Sequence, residues 1–124
     1  MLVGALEKAA AASAFTPPEQ KSDLIRAMRG HVTPEIAAVL EQFLSDDDDD
    51  VRIAAIDAIA EVGEDMRERL LEAFLEADDR PRIRIKIAET FADHDWAVKG
   101  YRPKVESTLP QGFHLTAKGL IRRR

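Results

Sequence analysis

The chain has 124 residues, 45% of them hydrophobic and 33% charged, which suits one folded domain with a core of its own and argues against wholesale disorder. It has no cysteine, which excludes a disulfide framework, a thiolate metal site and a thiol nucleophile. A net charge of −5, taken over the whole chain, is poor for holding nucleic acid.

The first element is a lone helix over Leu2 to Ala12, which either covers the first helix pair or forms half a repeat. Its apolar run is broken by Glu7 and Lys8 and has no basic leader, so a secretory signal is not expected. No stretch approaches the roughly 20 apolar residues of a membrane span. A cytoplasmic location, away from any membrane, is the expectation.

Thr16-Pro17-Pro18-Glu19 predicts a capping box with proline at the first helical position. The helix it opens carries Leu24, Ala27 and Met28 on one stripe. Thr33-Pro34 opens the next helix in the same way, with Leu40, Phe43 and Leu44 as its apolar stripe. Ser45 to Asp50 then ends one helix pair and starts another, its aspartates supplying an N-cap and favouring the positive helix start.

Over Val51–Gly63 the residues Val51, Ala55, Ala58, Ile59 and Val62 fall on one helix face. Ile53, Ile56 and Ala60 make a second apolar face, as expected of a helix sandwiched between others. Gly63 supplies the stop. A further helix runs from Glu64 to Ala77 on a stripe of Met66, Leu70, Leu71, Phe74 and Leu75. Asp78-Asp79-Arg80-Pro81 marks the next boundary. Ile83, Ile87 and Phe91 carry the last patterned helix.

Sliding the chain on itself reveals a repeat. Leu40, Phe43 and Leu44 lie 31 residues before Leu71, Phe74 and Leu75. Leu24, Ala27 and Met28 lie 31 residues before Ala55, Ala58 and Ile59. Ile83, Ile87 and Phe91 lie 32 residues after Val51, Ala55 and Ile59. After His94 the match fails, because Gly100 and Pro103 interrupt what would be the second helix of the third pair. A short helix from Pro103 to Leu109 and a β-hairpin of 113–116 with 120–122, turning on Gly119, are expected to cap the stack.

Asp50-Val51-Arg52, then Ala55, Ala58-Ile59-Ala60 and Gly63, resemble the first-helix pattern of the HEAT-repeat family, especially its short bacterial, phycobilin-lyase-like kind. Ile83-Arg84 with Ile87 and Phe91-Ala92 is a looser copy, and Lys21 with Leu24 and Ala27-Met28 a third. The resemblance implies an all-α, right-handed solenoid of about three helix pairs with a small C-terminal helix and hairpin cap. Residues 1–15 are then an N-terminal capping helix, 16–95 the repeats and 96–124 the cap of a single domain. It also implies that Arg52, Arg84 and Lys21 are structural, pairing with aspartates between helices.

No catalytic constellation is visible, so the chain reads as non-enzymatic, with no cofactor and no metal. An EF-hand frame on Asp46, Asp48, Asp50 and Asp57 puts Val51 where the loop needs glycine, and an inter-repeat turn explains the aspartates better. His31, His94 and His114 are far apart, and Asp93-His94-Asp95 reads as a capping turn. The residues between the buried stripes of the second helices, Glu35, Glu41, Arg69, Glu72 and Glu76, are expected to line a mostly acidic groove for a protein or peptide of basic or mixed charge.

The alternative lies at the other end of the chain. Residues 1–78 hold 7 basic and 18 acidic side chains, whereas residues 79–124 hold 11 and 5. Arg80, Arg82, Lys99, Arg102, Lys104, Arg122 and Arg123, interleaved with Trp96, Tyr101 and Phe113, form the pattern that holds single-stranded nucleic acid. Competing readings of the same residues are a solvated arginine tail and a basic end that meets an acidic body. The lyase-like resemblance adds a third class, an accessory subunit of an enzyme.

Overall fold

The computed structural model describes residues 2–124, with side chains from Val3 onward. Among them are seven α-helices, three short 3₁₀ turns and one two-stranded hairpin. The chain forms two compact units, Met1–Gly63 and Glu64–Arg124.

The first unit holds α1 (Leu2–Ala11), α2 (Pro18–Ala27), α3 (Pro34–Leu40) and α4 (Asp49–Ala60). Leu6 and Ala9 of α1 are buried, and α1 packs on α2 and α3. The capping box does not form at Thr16. Pro18 restricts the residue before it to extended backbone, and Pro17 has φ −60° and ψ 143°. The helix therefore begins one residue later than expected, at Pro18, and the Thr16 hydroxyl donates to the Ala12 carbonyl at 3.0 Å. Thr33 does cap α3, its hydroxyl accepting from the Ile36 amide at 3.3 Å.

Helix α3 is shorter than its pattern. It tightens after Leu40 into a 3₁₀ turn, Glu41–Ser45, which still buries Phe43 and Leu44. Asp48 caps α4, its Oδ1 accepting from the Val51 amide at 3.1 Å. On α4, Val51, Ala55 and Ile59 are buried on one side and Ile56 and Ala60 on the other, while Ile53 of that second face is only half-buried. Within the unit α4 packs on α2, α3 and the 41–45 turn. In α2, Ile25 and Met28 carry the core, while Ala27 is exposed where its repeat mate Ala58 is fully buried.

The second unit holds α5 (Arg67–Glu76), α6 (Pro81–His94), α7 (Arg102–Thr108) and the hairpin of β1 (Phe113–Leu115) and β2 (Ile121–Arg123). Leu70, Leu71 and Phe74 of α5 are buried, as are Ile83, Ile87 and Phe91 of α6, and the two helices pack together. The strands run antiparallel with Phe113 opposite Arg123 and Leu115 opposite Ile121. Gly119, at φ +85°, makes the left-handed turn, and its carbonyl accepts from the Val98 amide at 2.7 Å. Strand β2 packs on α6, and Ile121 and Val105 are buried.

Candidate functional site

The repeat's basic position is used three times, each time inside the fold. Lys21 and Asp46 form a buried ion pair, Nζ to Oδ2 at 2.7 Å, with both side chains over nine-tenths buried. The Ser13 hydroxyl donates to the same oxygen at 3.2 Å, and the Asp48 amide donates to Oδ1 at 3.0 Å. Burial is the largest single influence on the Asp46 carboxyl and pushes its pKa up. The Lys21 hydrogen bond, the Asp48 amide, the Lys21 charge and the Ser13 hydroxyl together outweigh it and hold the group below its ordinary value.

Arg52 and Arg84 do not pair with aspartate side chains. Arg52 donates through Nε to the Asp46 carbonyl. Arg84 donates to the carbonyls of Phe74 at 3.1 Å and Leu75 at 3.4 Å, and its guanidinium sits 5.2 Å from the Phe74 ring centre. The reason is geometric. The preceding segment ends with carbonyls whose acceptor capacity the backbone does not fill (that of Phe74 takes the Ala77 amide as well), and a planar guanidinium can donate to one or two of them at once. Only lysine, in the first copy, meets the aspartate itself.

These bonds also account for two residues of the aspartate run. Asp46 anchors Lys21 and Ser13, and Asp48 caps α4, so both carboxylates hold the turn together. Among the described residues no group of three His, Asp or Glu is placed to hold a metal ion.

The surface residues expected to face a partner sit on both units. On the first, Glu35 is exposed in the first turn of α3, while Glu41 is half-buried at the start of the 3₁₀ turn and has an interaction of its own. On the second, Arg69 and Glu72 are half-buried and form an (i, i+3) ion pair at 3.7 Å, and Glu76 is exposed. Glu35 and Glu76 thus present open carboxylates, whereas Arg69 is largely committed to α5.

The basic end is not a loose tail. Arg122 pairs with Asp95 at 2.8 Å, and Arg123 pairs with Asp93 at 2.8 Å and Glu89 at 3.9 Å. The hydrogen bond from Arg123 holds the Asp93 carboxyl below its usual value. Arg102 donates to the Thr116 and Ala117 carbonyls at 3.2 and 3.0 Å, and Arg80 and Arg82 are engaged as well. Trp96 is buried, edge-on to Phe91 at 5.7 Å and stacked on His94 at 4.6 Å. The His94 Nδ1 lies 2.8 Å from the Thr90 carbonyl, and Asp95 ends α6 in the left-handed conformation, as a capping turn requires. Lys99, Lys104 and Tyr101 remain exposed.

Two concavities bear polar groups worth comparing. In the second unit a hollow of about 750 Å³ between α7 and the hairpin holds one carboxylate, Glu106, and one guanidinium, Arg124, so its charges balance. In the first unit a cleft of about 530 Å³ is lined by Pro18, Glu19, Ser22, Asp23 and Arg26 of α2 and by Asp48 and Asp50 at the start of α4. Its four carboxylates outnumber its one guanidinium. Sequence reasoning did not single out this cleft. Glu19, Ser22 and Asp23 follow the chain's turn into α2, and only the packing of α2 on α4 brings them beside Asp48 and Asp50.

A profile of the family described as HEAT repeats matches residues 6–98. Three quarters of the chain lies inside that match, and the chain belongs to the HEAT-repeat family. The helices, their 31–32-residue repeat and the short capping hairpin agree with that family's helical-solenoid class. HEAT repeats generally act as scaffolds for protein–protein interaction. No curated protein and no solved structure matches the chain. No helix among the described residues is long and apolar enough to cross a membrane.

Proposed function

We propose that this chain is a non-enzymatic interaction module that binds a protein or peptide of basic or mixed charge through the acidic surfaces of its helices. The observation that carries this reading is where the open charges lie. Residues 1–63 hold 5 basic and 12 acidic side chains, and Glu35 on α3 and Glu76 on α5 expose carboxylates to solvent. Glu41, Glu72 and Arg69 flank them with charges that already have partners. Exposed, unpaired carboxylates steer and select a cationic partner at little cost in desolvation.

Nucleic-acid binding through the basic end is supported less well. Arg102, Arg122 and Arg123 already serve the fold, and buried Trp96 offers no face to a base. An array of basic, neutral and acidic 12-residue peptides tests the proposal, with a generic single-stranded oligonucleotide alongside. Basic peptides should be retained, and Glu35→Lys with Glu76→Lys should release them. Retention of acidic peptides, or oligonucleotide binding tighter than about micromolar and falling steeply with salt, overturns the reading.

A further inference from the structure

We infer that the hollow between α7 and the hairpin takes an extended peptide of mixed charge, which adds to the open edge of β1 as a further strand. The site goes beyond the acidic-surface reading, since neither Glu35 nor Glu76 lines it.

The edge is set by the ladder. β1 has one strand partner, β2, while Leu120 at the start of β2 also bridges to Ala97. The Arg124 amide donates to the Gly112 carbonyl, and the Thr116 amide to the Leu120 carbonyl, each at 2.8 Å. These bonds fix the alternation: Gly112, His114 and Thr116 turn their backbone groups toward β2, and Phe113 and Leu115 turn theirs away. Phe113 is satisfied locally. Its amide donates to the Pro110 carbonyl at 3.2 Å, and its carbonyl accepts from Arg124 Nε at 3.3 Å. Leu115 is not, for no group among the described residues bonds its outward amide or carbonyl. Phe113, His114 and Leu115 all line the hollow, and no residue of β2 does. Successive side chains of a strand point to opposite faces, so a hollow that touches all three lies along the edge of β1. The strand is short, but it carries no lysine, proline or bulge of the kind that closes an edge.

The lining selects the occupant. Leu109, Pro110, Phe113 and Leu115 are only half-buried, which leaves apolar surface for alternate side chains of an added strand. Glu106 is exposed and has no ion pair among the described residues, and neither has Arg124. One open charge of each sign calls for one of each in the peptide. His114 is a third mark. Its Nδ1 is buried without a hydrogen-bond partner, which costs the free chain stability. Rotation about χ2, a broad torsion in histidine, turns a ring nitrogen toward a peptide group in the hollow.

The experiment uses the full chain carrying Glu35→Gln and Glu76→Gln, which silences the surfaces of the preceding reading. The probes are blocked, labelled heptapeptides: Lys-Val-Thr-Val-Thr-Val-Glu, its reversed sequence, and versions with lysine or glutamate at both ends. In fluorescence anisotropy at physiological salt, one mixed-charge peptide should bind at least about fivefold more tightly than either like-charged one. Glu106→Lys should turn the preference to the doubly acidic peptide. N-methylating one peptide amide at a time should find a single central position where affinity falls about tenfold, with neighbours losing less than about twofold, because only one amide faces Leu115. With peptide bound, the Leu115 amide should exchange with deuterium at least about tenfold more slowly. His114→Phe keeps the bulk of the ring and should weaken the peptide about threefold or more without lowering the melting temperature.

Equal affinity for mixed and like-charged peptides, losses spread evenly over the methylated positions, an unchanged Leu115 exchange rate, or unchanged affinity in His114→Phe overturns the site. So does failure of every peptide to bind. Because Glu35 and Glu76 are already neutral in this chain, such a failure leaves the interaction-module reading standing, and failure of that reading in its own peptide array leaves this site.

Discussion

Replacing Lys21 by methionine tests the deepest polar contact in the molecule. The variant keeps the side chain's length and apolar body and leaves Asp46 buried without its cation. Breaking a buried ion pair from one side costs about 3–5 kcal/mol. Asp46 keeps two donors, the Asp48 amide and the Ser13 hydroxyl, so the lower end, about 3 kcal/mol, is the expected loss. The loss should also depend on pH. In the wild type Asp46 titrates below its ordinary 3.8, so its contribution is complete above that value and disappears as the pH falls through the lower folded value. Without Lys21, burial dominates and the folded pKa rises, so the variant's deficit is greatest at neutral pH and shrinks once the carboxyl is protonated. Adding Asp46→Asn, which keeps an acceptor for the Asp48 amide and removes the charge, should recover most of the loss. Urea unfolding followed by circular dichroism at pH 7 and pH 3 measures all of this. A deficit below about 1 kcal/mol, or one equal at both pH values, would refute the argument that this pair holds α2 to the 45–48 turn.

Two further outcomes are expected. Ile59→Ala and Phe74→Ala should each cost about 2–5 kcal/mol in chemical denaturation, because both side chains are fully buried, while Glu72→Ala should change stability by less than about 0.5 kcal/mol; a Glu72 effect equal to the other two would displace the repeat frame. Gly30 and Gly119 share a φ of +85°, but a Cβ at Gly30 meets open space whereas one at Gly119 comes within 3.1 Å of the Val98 carbonyl. Both changes to alanine carry the same backbone strain, so Gly119→Ala should be the more destabilising in thermal melts, and equal losses would show that the Val98 contact yields freely.

The architecture was legible because its signals are local or periodic. The stripes of α4, α5 and α6 recur at helical spacing, and each reappears near 31 residues away, so buried faces and helix pairs follow from the sequence alone. Thr33, Asp48, Gly63 and Gly119 act within a few residues of themselves, and each does what its neighbours predict. The exception, Thr16, fails for a local reason too, since Pro18 holds Pro17 out of the helix. The repeat frame even aligned Lys21 with Arg52 and Arg84, and all three proved structural.

What the charged residues do was decided only by the folded chain. Asp46 looked like one of five equivalent aspartates, and it became the buried anchor because it lands beside Lys21, 25 residues earlier. Arg123 looked like a tail, and it is paired because the hairpin lays it against Asp93, 30 residues away. Glu19 and Asp23 stand beside Asp48 and Asp50 only because α2 packs on α4. Periodicity states which face of a helix is apolar, since that depends on 3.6 residues per turn. The partner of a charge is set by distances across elements, and those exist only after the helices have packed.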